Sequence, residues 1–322
     1  MTPIVMRRVL ITVLVVGVVV ALRWSIISDL VMHDRAVLWQ AVLAGILLGS
    51  VYGLVSMGLS LIFGVLGIIN FAHGSIVGVG FYLSYFLVSR AGIDPYLSVP
   101  LTAIGLFLVG AFIQRTMVSR TMGQPLENQL LLTVGLSIVI QNGLLLLFSP
   151  TPRSIHVGYV NTNVEILGAT TTVARLVAFA AALVLGLLVW VLLRSTRLGT
   201  AIRAVSQNSR GAALMGINVD RIYIIAFALG TACAGAAAAL ILPFGSIEPL
   251  SGESFTIIAF ITVVLGGLGN ITGALYAGLL IGVTYEIGGL LLPGQDKLLL
   301  VFGMFVLVLL LRPQGLMGRS GR

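Results

Sequence analysis

Long apolar runs follow one another along almost the whole chain, separated by short polar or glycine-rich segments. Because a membrane-crossing helix needs about 20 mainly apolar residues, this pattern predicts about ten spans. Residues 37–89 are expected to form two spans that meet at a broken turn. The predicted spans are 9–28, 37–58, 60–69 continuing past a polar break to 74–89, 96–114, 129–149, 172–193, 222–243, 255–269, 272–292 and 298–311. The pattern therefore predicts an all-α, polytopic transmembrane helical bundle with broken helices.

The composition agrees with this fold class. Of the 322 residues, 58% are hydrophobic and 9% are charged, and the mean hydropathy is +1.13. A soluble domain carries about 25% charged residues, so this chain has too little polar surface for water and needs lipid as its solvent. Residues 1–36 are predicted to be an N-terminal extension with its own span, because Arg7 and Arg8 precede an apolar run that no A-x-A cleavage site follows.

The distribution of positive charge predicts the orientation. With a cytoplasmic N-terminus and ten crossings, 12 of the 18 basic residues fall on the cytoplasmic side, as the positive-inside rule requires. Both termini are then cytoplasmic, and the chain is expected in the inner membrane. The net charge of +8 is interpreted as a topology signal and a source of contacts with membrane lipid, and no nucleic-acid partner is expected.

The residues that carry enzyme chemistry are missing from the sequence. There is no GxxxxGK[ST] loop for nucleotide phosphates, no nucleophile elbow and no cluster with metal-ligand spacing. The three histidines, His33, His73 and His156, are far apart. We therefore expect no catalytic residue, metal or cofactor, and a chain that is not an enzyme.

Two glycine-rich polar breaks are candidates for a transport pathway. Asn70, His73 and Gly74 lie between apolar runs, where polar groups are costly in lipid. Two interpretations stay open: a broken helix that lines or gates the pathway, or a short cytoplasmic turn in which Asn70 and His73 cap helix ends. A similar segment, 265–273, suggests an internal repeat of the kind found in transporters. The other candidate pathway residues are Gly266, Gly267, Gly269 and Glu286.

The segment 194–221 is the longest predicted cytoplasmic loop. Its helix-compatible stretches are separated at Asn208, which could end one helix and cap the next. Such a helix either lies on lipid or docks into a groove of a soluble partner, and the small Ala-Ala-x-x-Gly core favours docking. The candidate contact residues are Arg203, Gln207, Asn208, Ala212, Ala213, Met215, Gly216 and Ile217.

Several motifs, in order, resemble the permeases of branched-chain amino-acid ABC transporters. They are the run from Gly58 to Gly74, Glu127-Asn128-Gln129-Leu130 with Thr133 to Ile138, Arg203 to Asn208 with Leu214 to Asp220, Val264 to Gly269, and Leu311 to Leu316. Ile69-Asn70-Phe71-Ala72-His73-Gly74 is similar to the first, LivH-like, of the two permease types. The resemblance covers the predicted transmembrane domain, 37–318; the extension 1–36 is unusual for that type.

The resemblance implies a complex and a mechanism. The chain would work with two cytoplasmic ABC ATPase subunits, a periplasmic substrate-binding protein and a second permease, either a LivM-like chain or a copy of itself. Residues 197–219 would be the coupling region that enters the ATPase, and alternating access would move the amino acid or a related amide. The alternative is a self-sufficient channel or secondary transporter for a small polar solute such as urea. A proton- or sodium-coupled carrier should have more buried carboxylates than Glu286.

Overall fold

The computed structural model describes residues 35–155, 158, 162–292 and 296–318. This part of the chain contains eleven α-helices, one 3-10 helix and one β-hairpin. The α-helices are α1 (Arg35–Leu66), α2 (His73–Ser89), α3 (Pro95–Thr116), α4 (Leu126–Phe148), α5 (Val173–Ser195), α6 (Arg197–Gln207), α7 (Ser209–Leu214), α8 (Val219–Ile241), α9 (Ser251–Gly266), α10 (Ile271–Leu291) and α11 (Lys297–Leu311). The 3-10 helix is Val118–Thr121, and the strands are β1 (Asn163–Ile166) and β2 (Ala169–Thr172).

Nine of these helices are apolar enough to belong to the membrane. Six are also long enough to cross it, namely α1, α3, α4, α5, α8 and α10. The other three, α2, α9 and α11, are shorter. The prediction of an all-α polytopic bundle is confirmed, and the predicted span 9–28 lies outside the described residues.

The predicted boundary between 58 and 60 is wrong. Helix α1 continues without interruption from Arg35 to Leu66, because neither Gly58 nor Ser60 breaks a helix whose neighbours hold it in place. The first break comes after Leu66, where Gly67 has a φ of +70°. Residues 37–89 therefore form two helices that meet at one broken turn, as predicted.

Glycines bring α1 and α10 into backbone contact. A methyl group built on Gly49 would lie 2.7 Å from the carbonyl oxygen of Gly278, and one built on Gly45 would lie 2.8 Å from that of Gly282. In lipid, such close packing replaces the hydrophobic effect as the force between helices. The glycines of these two helices therefore serve packing.

Helix α8 lies at the centre of the bundle and is rich in alanine. The residues from Cys233 to Ile241 are all buried, and Cys233 is the small buried residue that its apolar surroundings predict. Thr231 donates a hydrogen bond to the carbonyl oxygen of Leu106 in α3 at 2.9 Å. Small side chains along α8 let α1, α2 and α3 pack closely around it.

The hairpin of β1 and β2 was not predicted. Leu167 and Gly168 form its turn, and both have positive φ, the geometry of a tight two-residue hairpin. The side-chain amide of Gln40 in α1 donates to the carbonyl oxygen of Thr170 at 2.5 Å and accepts from its backbone N–H at 2.8 Å. The hairpin is thereby fixed to the start of α1.

The bundle has two ends of unlike charge. We call the end that carries the hairpin the hairpin end, and the end that carries α6 and α7 the elbow end. Within the described residues the elbow end carries eight arginines and two acids: Arg115, Arg120, Arg194, Arg197, Arg203, Arg210, Arg221, Arg312, Glu127 and Asp220. Large apolar side chains are exposed on the helices between the ends, such as Leu131, Val139 and Leu146 of α4, as expected for a surface that faces lipid.

Candidate functional site

Helices α6 and α7 form an elbow, residues 196–218, that joins α5 to α8. Each of the three helices α6, α7 and α8 begins after a residue whose side-chain oxygen accepts a hydrogen bond from the backbone N–H three residues on. These pairs are Thr196 with Gly199 at 3.0 Å, Asn208 with Gly211 at 2.9 Å, and Asn218 with Arg221 at 3.0 Å. The predicted capping role of Asn208 is confirmed, and the caps fix the angles between these helices.

The elbow ends in a glycine that the backbone requires. Gly216 has a φ of +81°, and its N–H donates to the carbonyl oxygen of Ala213 at 3.0 Å, while that of Ile217 donates to Ala212 at 3.1 Å. This pair of bonds is the Schellman motif, in which a left-handed residue closes a helix. The chain can therefore turn from α7 into α8 within four residues.

One face of the elbow is buried against the bundle. Ile202, Val205 and Ala212 are almost fully buried, and they belong to one apolar cluster with Leu193 of α5 and Ile222 of α8. A displacement of the elbow must therefore move the elbow ends of α5 and α8, because the three elements share a packed core.

The opposite face presents an apolar tip. Leu214 is 89% exposed and Met215 is 83% exposed, beside the exposed Ala213 and Gly216. The predicted contact residues do not all lie on this exposed face. Ala212 faces the bundle and Ile217 is half-buried, so a partner on the exposed side would not contact Ala212. Leu214 was missed as a contact residue, although a large apolar side chain in a polar loop was a usable signal.

The polar candidates of the elbow lie away from this tip. Gln207 and Asn208 are exposed at the bend between α6 and α7. The guanidinium of Arg203 donates to the carbonyl oxygen of Leu193 and, at 3.2 Å, to the hydroxyl of Thr200. Arg203 therefore ties α6 to the end of α5.

The first break, residues 67–72, turns back into the bundle. His73 Nε2 donates to the carbonyl oxygen of Val55, in the middle of α1, at 3.0 Å. Asn70 Oδ1 accepts from the backbone N–H of Ala72 at 3.1 Å. Both Asn70 and His73 have no exposed surface. Their burial supports the interpretation of a broken helix inside the bundle, and Asn70 also satisfies a backbone group near the start of α2, as the capping interpretation predicts.

A polar cluster continues from this break between α2 and α4. Ser75 and Ser137 share a hydrogen bond of 2.7 Å, and Gln141 Nε2 donates to Ser75 at 3.3 Å. Thr133 donates to the carbonyl oxygen of Ile69 at 3.3 Å. These bonds connect α4 with α2 and with the break, and none of the four side chains was among the predicted site residues.

Gly74 brings the start of α2 against the start of α9. A side chain at Gly74 would overlap the carbonyl oxygen of Gly252 and the hydroxyl of Thr256. Nearby, the rings of Phe71 and Phe260 stack at 4.9 Å between centroids. The N-termini of two helices thus meet inside the bundle, which is a common arrangement at the binding paths of transporters.

The second break, residues 267–270, has the same local design. A helix ends, the next residue is a glycine with positive φ, and an asparagine follows three residues later, as in Gly67 with Asn70 and Gly267 with Asn270. Asn270 Oδ1 accepts from the N–H of Gly273 at 2.9 Å. The similarity predicted between the two segments is therefore present in their backbones.

The two breaks lie at different depths. Gly269 packs against Gly64, whereas His73 bonds to Val55. These two positions on α1 are nine residues apart, about 13 Å along a helix. Glu286, half-buried on α10, lies five residues before the end of that helix, toward the hairpin end. The pathway candidates therefore do not form a single site in this conformation.

Together these features define a class of protein. Many apolar helices, helices broken inside the bundle and a capped elbow at the positively charged end are the features of a multi-pass membrane transport protein. Residues 41–310 match the family described as the branched-chain amino acid transport system / permease component. The chain belongs to this family.

Relatives with curated names agree over nearly the full length. The permease protein BraD of the high-affinity branched-chain amino acid transport system of Pseudomonas aeruginosa is 31% identical, over 87% of this chain and 95% of its own. LivH of Escherichia coli, from the system of the same description, is 31% identical over the same shares. A probable LivH permease of Methanocaldococcus jannaschii is 29% identical over 82% of this chain and 88% of its own. No solved structure matches the chain.

Proposed function

We propose that this chain is one permease subunit of an ATP-driven importer in the inner membrane. It would receive branched-chain amino acids from a periplasmic binding protein and pass them across the membrane by alternating access. The family and the names of the relatives support this substrate class. Because the sequence has no nucleotide-binding loop, ATP would be hydrolysed by two cytoplasmic ABC subunits, and a second permease, LivM-like or a copy of this chain, would complete the pathway.

The observation that carries the proposal is the exposed apolar tip of the elbow. Leu214 and Met215 are large, apolar and almost fully exposed, yet they stand on a short helix fixed by caps at both ends. A rigid apolar knob of this kind suits a hydrophobic groove on a partner protein, since little conformational entropy remains to be lost on docking. We assign that groove to the ATPase subunit.

The buried side of the elbow supports a route for coupling. When the two ATPase subunits close on ATP, a docked tip would be displaced with them. Since Ile202 and Val205 pack with Leu193 and Ile222, the displacement would tilt α5 and α8. Helix α8 packs against α1, α2 and α3 through small side chains, so its tilt would be transmitted to the first break.

The orientation follows from the same proposal. The elbow end would face the cytoplasm, because it carries most of the arginines of the described residues. The start of α9 and the break at Asn70 and His73 would lie along the pathway, where a change of α8 could open or close the contact of Gly74 with Gly252.

The docking step is tested by co-purification of the full-length chain with its ATPase from membranes in mild detergent. Leu214→Arg and Met215→Arg change only exposed side chains, so they should fold normally. Each should lower ATPase retention about tenfold, the effect of losing an anchor of about 1.4 kcal/mol at an interface. Ser195→Arg, which adds the same charge at an exposed position outside the tip, is the matched control and should retain the ATPase.

The transport step is tested in proteoliposomes that contain the complete complex, ATP inside and the binding protein outside. We expect uptake of labelled leucine that needs ATP and that excess valine or isoleucine inhibits. Uptake by the permease chain alone, without ATPase, would support the channel or secondary-carrier alternative instead. Uptake of urea that leucine does not inhibit would contradict the substrate class.

A further inference from the structure

An open cleft lies at the elbow end between α5, α6 and the second break. Its volume is about 800 Å³. The walls come from the end of α1, the last two turns of α5, one side of α6, residues 268–272 and Met317 and Gly318 of the C-terminal tail.

The charge among the described residues of this cleft comes from two arginines. Arg194 and Arg203 are the only charged residues among the described residues that line it, and both are exposed. The guanidinium of Arg194 stacks over the ring of Trp190 at 4.9 Å, while that of Arg203 is bonded to the end of α5. Both groups are thus positioned and keep N–H donors for an anion. A planar guanidinium matches the oxygens of a phosphate.

An apolar strip connects the cleft with the lipid-facing surface of α5. Leu187, Trp190 and Val191 are exposed at helical spacings of three and four residues, and Arg194 follows on the same face. Most of the other residues that line the cleft are apolar, among them Leu61 and Ile202. Tryptophan is typical of the boundary between lipid tails and headgroups. Because Trp190 lines the cleft, we expect the cleft to lie at the level of the lipid headgroups.

We propose that this cleft binds an anionic phospholipid. The headgroup phosphate would accept hydrogen bonds from Arg194 and Arg203, and one acyl chain would lie along Leu187, Trp190 and Val191. A free phosphate ion would leave the apolar walls uncovered, whereas a zwitterionic lipid would bring a positive group beside two arginines. Because α6 forms one wall, the bound lipid would brace the elbow against the bundle, whichever solute is transported.

The test measures binding of palmitoyl-oleoyl phosphatidylglycerol to the delipidated full-length chain by native mass spectrometry. We expect one tightly retained molecule per chain. Arg194→Gln should weaken the apparent affinity about fivefold, the contribution of one basic residue near an anionic lipid. Trp190→Ala keeps both charges and should weaken it about two- to fivefold through loss of the stacked arrangement. Arg120→Gln, at another exposed arginine of the elbow end, should change nothing.

Several results would overturn the proposal. An affinity that is unchanged in both Arg194→Gln and Trp190→Ala, or lowered equally by Arg120→Gln, would show that the lipid does not use this cleft. Equal affinity for phosphatidylcholine would indicate an apolar groove without headgroup recognition. Displacement of the lipid by an equal concentration of inorganic phosphate would indicate a simple anion site. Loss of the bound lipid when the ATPase binds the chain would indicate that the ATPase, and not a lipid, occupies the cleft in the complex.

Discussion

The side chain of Asn270 joins the second break to the C-terminal tail through Met317. Its Nδ2 donates to the carbonyl oxygen of Met317 at 2.7 Å, while its Oδ1 caps the start of α10. The tail in turn caps α9, because the N–H of Leu316 donates to the carbonyl oxygen of Leu265 at 2.7 Å. Carbonyl groups that would otherwise be unpaired at the end of α9 are thus satisfied by the C-terminal tail. Three hydrogen bonds therefore fix the second break: from Asn270 to Met317, from Gly273 to Asn270, and from Leu316 to Leu265.

Replacing Asn270 by aspartate should release the tail and keep the helix start. A carboxylate still accepts from Gly273, and its charge suits a helix N-terminus, but it cannot donate to Met317. Loss of this hydrogen bond, about 1 kcal/mol, should speed the exchange of the backbone N–H groups of Leu316 and Met317 about fivefold. Hydrogen-exchange mass spectrometry of the tail peptide measures this change.

Asn218→Asp is the matched control for that substitution. Asn218 also caps a helix, α8, through its side-chain oxygen, so the same chemical change is made at a distance from the tail. Exchange at Leu316 and Met317 should be unaffected. If both variants accelerate exchange equally, the tail responds to overall stability and is not held by Asn270.

The glycine contact of α1 with α10 predicts a large difference between two similar substitutions. Gly49→Ala forces a methyl group to within 2.7 Å of the Gly278 carbonyl oxygen and should destabilise the bundle by about 1–3 kcal/mol. Gly289→Ala lies on the partner helix, where an added methyl group meets nothing within 4 Å, and should be neutral or stabilising by up to about 1 kcal/mol. Thermal unfolding in detergent compares the two; equal midpoints would show that the helices separate easily at this contact.

The sequence predicted those parts of the fold that depend on local pattern. Apolar length located the membrane helices, and the glycine–asparagine pairs located both breaks, because a helix in lipid can end only where other groups satisfy its backbone. Asn208 was also found as a cap, since capping depends on residues only a few positions apart.

Features that depend on distant neighbours could not be predicted. Whether α1 ended near Gly58 or continued to Leu66 depended on its contacts with α8 and α10, and glycine alone does not decide it. The depth of His73 follows from its bond to Val55, eighteen residues earlier. The division of Ala212 and Leu214 between a buried and an exposed face required the angle of the elbow, which a short stretch of sequence does not encode.

Gly216 should tolerate asparagine better than alanine. Nothing lies within 4 Å of an added methyl group, but the φ of +81° strains a residue with a Cβ. Gly216→Ala should therefore cost about 1 kcal/mol and weaken ATPase retention, whereas asparagine, which adopts this conformation more readily, should retain more. Co-purification with both variants measures the difference. If alanine and asparagine behave alike, the backbone conformation of the turn does not control docking.

The proposed orientation can be tested with single cysteines at the two ends of the bundle. The described part of the chain has one native cysteine, Cys233, and it is buried, so it should give little background with a membrane-impermeant maleimide. Cysteine at Thr162, beside the hairpin, should be labelled from outside intact cells, whereas cysteine at Ser206 on α6 should be labelled only after the membrane is opened. Both positions are exposed, so the difference between them reports sidedness. The reverse pattern would place the elbow and its tip outside the cell, where no ATPase is present, and would remove the basis of the importer proposal.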